Sequence, residues 1–425
     1  MGTVGKLSGH VVAWQRDRAS VNNAAVSILI LSYRGALDLH CLPHTLCHVG
    51  EHMPAPLALK LKQDLCKLNG LSLKSRKLWK EALQRAWKKV GNTRWWAAWE
   101  LHAWVHEEFE LFLLFTAMTD IPMTGEDDVG GALDGACITR IRTVVNTPAT
   151  RILLQLQLGT LRRCCDLLIR TTYNLEGDGP LVLVAHGMID RLDKMFDAGF
   201  DNMDFDGMAD VINTYADDMH QADNASTVEQ YRAAGVELAK AIVLPGKDYF
   251  NLTVMGKLAD DIAVYKFCRL LNPLHARDHH VFSDVGVDTF RSGMKRYFGQ
   301  LTAEQQAAAV VCFRSNYKAL TRTTELPRLE SDGKSDKESL KITLDRLLAF
   351  WQGSLITSSA VLDLKPLHLL VRMVLAIAPS SAASERVFSI YNALFSALQS
   401  TAYVDTVRTA VMLSFNRADD DAAAV

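Results

Sequence analysis

The pattern of apolar and polar positions divides this 425-residue chain into stretches of different character. Over the first fifty residues the period keeps changing. His10-Val11-Val12-Ala13-Trp14 is a short β-prone run that stops at the polar cluster Gln15-Arg16-Asp17-Arg18. Ser20 is placed to cap a helix from Val21 to about Ser32, with apolar positions at Val21, Ala25, Ile28, Leu29 and Leu31, and Gly35 ends it. The run from Ala36 to Leu42 alternates as a second strand. Strand, helix, strand is an α/β fragment.

From about Thr45 to Gln352 the 3.6-residue period takes over. It predicts helices over 57–69, 72–90, 95–118, 147–173, 181–197, 204–219, 226–243, 254–271, 287–298 and 302–319. Turn chemistry separates several of them at Gly177-Asp178-Gly179-Pro180, Leu244-Pro245-Gly246 and Asn272-Pro273. Residues 324–345, with Pro327 and Ser331-Asp332-Gly333-Lys334-Ser335, read as a linker. Beyond Phe350-Trp351, helices are predicted from Leu364 to Ile377, Ala382 to Leu398 and Val404 to Asn416, ahead of an acidic tail at 419–425. Val387, Tyr391, Leu394 and Leu398 share one helix face, which Phe388 and Phe395 widen. No internal repeat points to a solenoid. The expected class is mainly α, with a partial α/β core interrupted by a large all-helical insertion.

Composition changes this picture little. Apolar residues make up 49% and charged residues 22%, and a net charge of −2 gives no global case for a nucleic-acid partner. The local case is stronger: between Lys60 and Arg94 eleven Lys or Arg stand against Asp64 and Glu81, interleaved with Trp79, Trp87, Trp95 and Trp96. Cations neutralise phosphates and an exposed indole stacks on an unpaired base, but the same pattern also describes a solvated face over buried tryptophans. Eight cysteines without a framework spacing suggest a reducing, intracellular setting. No apolar run reaches the roughly 18 residues of a membrane span, so no membrane partner is expected.

Several motifs lead nowhere. His106-Glu107-Glu108-Phe109-Glu110 carries Glu110 where a zinc-protease helix needs its second His. Gly333-Lys334-Ser335 lacks the upstream glycine of a phosphate loop, since Arg328 stands there. The acids from Asp190 to Asp218 read as a solvated face. Cys41, His44, Cys47 and His48 have ligand chemistry but no second, separated pair, so a packed junction competes with a zinc site.

The segment Pro379-Ser380-Ser381-Ala382-Ala383-Ser384-Glu385-Arg386-Val387-Phe388-Ser389 resembles the signature that opens the C-terminal dimerisation segment of hAT-superfamily DNA transposases. Four further elements, in order, are similar to that family's: Arg16-Asp17-Arg18-Ala19-Ser20-Val21-Asn22, Cys41-Leu42-Pro43-His44, Asn92-Thr93-Arg94-Trp95-Trp96, and the aromatic pairs Tyr249-Phe250 and Phe350-Trp351. The resemblance covers most of the chain. It implies an RNase H-like core in which Asp17 is the second catalytic acid, Glu385 the last, and His44 lines the site. It makes Trp95 the partner of a flipped base, while the basic segment itself offers Arg94, Lys74, Lys77, Lys88 and Lys89 as candidate DNA contacts. Val387, Phe388, Tyr391, Leu394, Phe395 and Leu398 would serve dimerisation.

Two-metal phosphoryl transfer needs several carboxylates around a pair of Mg²⁺ ions ~3.5–4 Å apart. The family's first Asp has no position here, because only sixteen residues precede Asp17 and none is acidic. Asp17 and Glu385 would therefore bind metal only in a complete site, and no cofactor is expected. The expectation is a catalytically incomplete, nuclear, transposase-derived protein that forms a homodimer and has duplex DNA as a partner. Its expected segments are a core remnant over 1–52, a helical insertion over 53–323, the linker 324–345, a C-terminal core and dimerisation segment over 346–418, and the tail 419–425. The rival readings are an active transposase or nuclease cut short at its N-terminus, and a helical scaffold with no DNA role.

Overall fold

A computed structural model describes residues 12–16, 35–71, 73–87, 90, 95–118, 135–278, 280–323, 336–356 and 363–381. The described chain is mainly α-helical, with two short strands. The expected helices at 21–32, 382–398 and 404–416 lie outside the described residues.

One compact unit comprises residues 1–45, 172–188 and 258–425. Its strands, β1 (Ala13–Arg16) and β2 (Leu37–His40), run parallel with Ala13 opposite Leu37 and Arg16 opposite His40. Gly35, at φ +94°, begins the approach to β2 in a conformation that disfavours any residue with a Cβ. The core of this unit is aromatic. Phe290 stacks on Phe313 at 4.0 Å and nearly parallel, Phe267 stacks on Phe290 at 5.5 Å, and Tyr317 stacks on Trp351 at 5.4 Å. All five rings are buried, and the Trp351 indole nitrogen donates to the Leu271 carbonyl at 3.1 Å. Gly293 in the helix Asp284–Tyr297 admits Phe267, since a Cβ there would come within 2.4 Å of its ring.

The second unit comprises 46–171 and 189–257, and its secondary-structure elements among the described residues are helices. Gly50 faces Trp95 so closely that a Cβ would lie 2.2 Å from the indole. The helix Val228–Tyr249 opens on a capping box between Thr227 and Gln230 and packs Gly235 against Tyr215. His102 is fully buried in the helix Trp95–Glu107, with Nε2 3.0 Å from the Ala58 carbonyl.

Several sequence expectations need correction. The turn predicted at Leu244-Pro245-Gly246 is the last part of the helix Val228–Tyr249, which runs through Pro245 into a π-helical turn, Phe250–Lys257. Close packing outweighs the missing donor of Pro245, because Gly246 lies against Met53 where a Cβ would approach within 2.6 Å. The segment 324–345 is not linker to its end, because a 21-residue helix begins at Asp336. A helix at Gly135–Asn146 was not predicted, and the hydroxyls of Thr139 and Thr143 in it bond back to carbonyls four residues earlier. Within the segment 53–323, residues 172–188 and 258–323 make their contacts with the unit that holds the strands.

Burial pushes the His102 imidazole down to about 4 from an ordinary 6.5. The neutral folded form then contributes fully above pH 6.5, and that contribution is lost as pH falls from 6.5 towards 4, while the unfolded chain takes up the proton. Urea unfolding followed between pH 7.5 and 4.5 is expected to show a loss of about 3 kcal/mol from this group. His102→Gln should flatten that part of the curve.

Candidate functional site at the strand ends

The C-terminal ends of β1 and β2 gather residues from four distant parts of the sequence. The ladder closes with Cys41 N–H donating to the Arg16 carbonyl at 2.7 Å. One residue on, the Leu42 N–H at the start of the helix Leu42–Glu51 donates to the Pro379 carbonyl at 3.1 Å. Gln15 Nε2 donates to the His40 carbonyl at 2.5 Å and reaches the same Pro379 carbonyl at 3.3 Å. Ser381 directs both its N–H (3.4 Å) and its hydroxyl (3.3 Å) at the Cys41 sulfur.

Charge at this end is paired. Arg16 grips Asp38 with two parallel bonds, Nε to Oδ1 at 2.6 Å and Nη2 to Oδ2 at 2.8 Å. The bond to Asp38 raises the Arg16 pKa above its ordinary value against the opposing effect of burial. Asp261, buried in the helix Ala259–Arg269, accepts from His40 N–H at 2.7 Å through Oδ2, and the His40 Nδ1 lies 3.0 Å from the same oxygen. The Tyr265 hydroxyl, one turn further along that helix, is fully buried beside Gln15 and pushed well above the usual tyrosine range by desolvation.

Of the residues singled out by sequence, His44 is at this end, half-buried in the first turn of its helix. Asp17 and Glu385 lie outside the described residues. The chain enters them from described ground, since Arg16 ends β1 and Ser381 stands four positions before Glu385. Asp261 and the Arg16–Asp38 pair were missed. Leu258, Asp261, Ile262, Tyr265 and Cys268 fall on one apolar stripe, and an acid on such a stripe is the signal that was available.

The described carboxylates do not fit a magnesium pair. Asp38 is committed to Arg16 and Asp261 to His40. Nor does a group of three or more His, Cys, Asp or Glu that could hold a metal occur elsewhere among the described residues. Of the tempting quartet, Cys41 and Cys47 are buried, Cys41 receives Ser381, and His48 Nδ1 lies 2.6 Å from Glu51.

The helical unit carries the basic segment. On the helix Leu73–Leu83, Ser75, Leu78, Trp79, Ala82 and Leu83 turn inward while Arg76, Lys77 and Lys80 are exposed and Lys74 is half-buried. Asp64 is withdrawn from this surface, buried against Arg140 at 2.5 Å. Trp95 requires a correction: its ring is buried against Gly50 and offers no face to a base. Trp79, Trp87, Trp99 and Trp104 instead line a cavity of about 410 Å³ with Arg85 and Arg162 at its wall. Trp79 meets Trp87 edge-on at 4.9 Å, Arg85 lies 5.4 Å over the Trp104 ring, and Trp99 Nε1 donates to the Leu161 carbonyl. Lys88, Lys89 and Arg94 lie outside the described residues, as do Val387, Phe388, Tyr391, Leu394, Phe395 and Leu398.

Asp261→Ala removes the acceptor of a buried backbone N–H and is expected to cost about 2–3 kcal/mol of unfolding free energy in urea. Asp261→Asn keeps a carboxamide oxygen there and should cost clearly less. Equal losses would show that the His40 bonds contribute nothing. No protein-family model, curated protein or solved structure matches this chain.

Proposed function

We propose that this chain is a hAT transposase-derived protein, built on an RNase H-like core, that binds duplex DNA and self-associates without cutting DNA itself. The observation that carries the reading is the bonding of Pro379 and Ser381 to the ends of β1 and β2. Pro379-Ser380-Ser381 opens the signature that contains Glu385, Arg16 precedes Asp17, and Cys41 opens the motif that contains His44. The bonds from Gln15 to Pro379 and from Ser381 to Cys41 join residues that flank these elements, more than 300 positions apart in sequence, and that supports the reading. A chance likeness of short motifs carries no such requirement.

Within these 425 residues the resemblance supplies two catalytic acids, Asp17 and Glu385, where two-metal chemistry uses three. The neighbouring Asp38 and Asp261 do not substitute for the third, for the reasons of pairing given above. Binding and assembly are the activities that this residue set favours. The exposed cations of Leu73–Leu83 suit phosphates, and the tryptophan cavity suits an unpaired base, a role that passes from Trp95 to Trp87, Trp99 and Trp104. All eight cysteines are free, which fits an intracellular, nuclear setting. No helix among the described residues is long and apolar enough to cross a membrane.

Duplex DNA binding is expected at low salt and should weaken steeply as salt rises. Reversing Lys74, Lys77, Lys88 and Lys89 to Glu should reduce the slope of log K against log salt by about 3–4. Undetectable binding by the unaltered protein at low salt would leave the helical-scaffold reading in its place, and Mg²⁺-dependent cleavage would overturn the assignment as non-cutting. Light scattering at micromolar concentration is expected to give a dimer, converted to monomer by Phe388→Asp with Leu394→Asp. A monomeric unaltered protein would refute self-association.

A further inference from the structure

A second concave site in the helical unit shares no lining residue with the tryptophan cavity. It is a hollow of about 240 Å³ walled by three helices, Trp95–Glu107, Pro148–Leu175 and Met208–Ala222. His106, Arg163, Asp210 and Asp218 bring charge and polarity to its lining. The Arg163 Nε and the His106 Nδ1 are both buried and meet no hydrogen-bond partner among the described residues. A buried guanidinium N–H costs free energy unless an acceptor faces it. Arg162, its neighbour in sequence, is by contrast spent on Glu107. Among the described residues no ion pair joins Arg163 to Asp210 or to Asp218. The hollow therefore carries both signs of charge, and they are not paired off against each other.

Two glycines set the order of these groups. Gly207, at φ +69°, starts the helix Met208–Ala222, and the Arg163 guanidinium takes the space where a Cβ would come within 2.7 Å of Cζ. Gly159 admits both Val211 and the His106 ring, since a Cβ there would lie 2.6 Å from one and 2.7 Å from Nε2 of the other. Arg163 thus stands where the helix Met208–Ala222 begins, with Asp210 in the first turn of that helix, and Asp218 lies two turns further along. Burial lowers the His106 pKa to about 4, and Arg162 and Arg163 add to the effect. At neutral pH the imidazole is therefore uncharged, with one N–H to donate. Asp218 is half-buried, and that burial raises its pKa. Arg151 opposes the shift from nearby but forms no ion pair with Asp218 among the described residues.

We infer that this hollow binds a free basic α-amino acid, with the carboxylate on Arg163 and His106, the α-ammonium at Asp210 and the distal cation at Asp218. A guanidinium holds a carboxylate through parallel N–H donors. Asp210 and Asp218 are separated by about 12 Å along the helix axis. An extended lysine spans about 7 Å between its two ammonium groups. Charge-assisted bonds of about 2.8 Å at either end close the remainder. Ile152, Leu156 and Val211, all buried, give its methylenes an apolar wall. A phosphate would meet two carboxylates here, and a diamine would leave the Arg163 donor without an acceptor. The site is independent of the transposase reading and of the basic face that supports it.

Isothermal titration of the full chain at low salt tests this with L-lysine, with L-norleucine, which lacks the distal ammonium, and with cadaverine, which lacks the carboxylate. Lysine should bind, and norleucine and cadaverine should each bind at least about tenfold more weakly. That comparison needs no variant. Asp218→Asn should weaken lysine by at least about tenfold and leave norleucine unchanged, so that the preference between them disappears. Arg163→Gln should weaken lysine and norleucine alike and leave cadaverine unchanged. Asp201→Asn removes an exposed acid of the same unit outside the hollow and should alter none of the three. The assignment is overturned if lysine does not bind at about 10 mM. It is overturned as well if Asp218→Asn or Arg163→Gln, with an unchanged circular dichroism spectrum, binds lysine as the unaltered protein does. Cadaverine binding as tightly as lysine would make the hollow a diamine site and would also overturn it.

Discussion

The carbonyl oxygen of Pro379 accepts from Leu42 N–H and lies within reach of Gln15 Nε2, and through it the strand ends and the far end of the described chain become one structure. Two short parallel strands cannot stand alone, because a pair of four-residue strands leaves most of its backbone groups unpaired. Neighbours complete them. Asp261 receives the His40 N–H, Gln15 closes over the His40 carbonyl, and Ser381 reaches the Cys41 sulfur. Each of these bonds lies at the same end of the sheet, so polar groups that would otherwise be buried unpaired dictate where the distant segments dock.

Aromatic packing holds the helices of that unit behind the strands. The stack through Phe267, Phe290 and Phe313, and the pair Tyr317 and Trp351, draw on four helical segments that turn chemistry separates along the sequence. The helical unit uses its indoles differently. Trp95 is taken up by the contact with Gly50, and four other tryptophans line a cavity. One sequence cluster of indoles thus serves both packing and an open wall, and only the geometry separates the two uses.

Legibility followed the length of the periodic signal. Long amphipathic segments such as 148–175 and 182–199 were visible within a residue or two, because burial on one face imposes the 3.6-residue period. Local turn chemistry was less reliable: Leu244-Pro245-Gly246 looked like a break, yet packing against Met53 carried the helix through it. The helix Gly135–Asn146 was missed because its threonines favour other conformations unless neighbours hold them. The candidate site was legible through its motifs at 16–17 and 41–44 and through Pro379-Ser380-Ser381, but not through Asp261, whose role comes from the backbone N–H that it faces.

By itself the sequence determined that the chain is mainly helical, where most helices lie, and that a strand-rich fragment stands at its start. Periodicity records which face of an element is buried, and that much is local. It does not record what the face is buried against. Only the tertiary structure decided that residues 258–323 pack with the strands, that Trp95 is core, and that Asp38 and Asp261 are paired off. Those outcomes depend on contacts between residues far apart in sequence, and the helical period is blind to them.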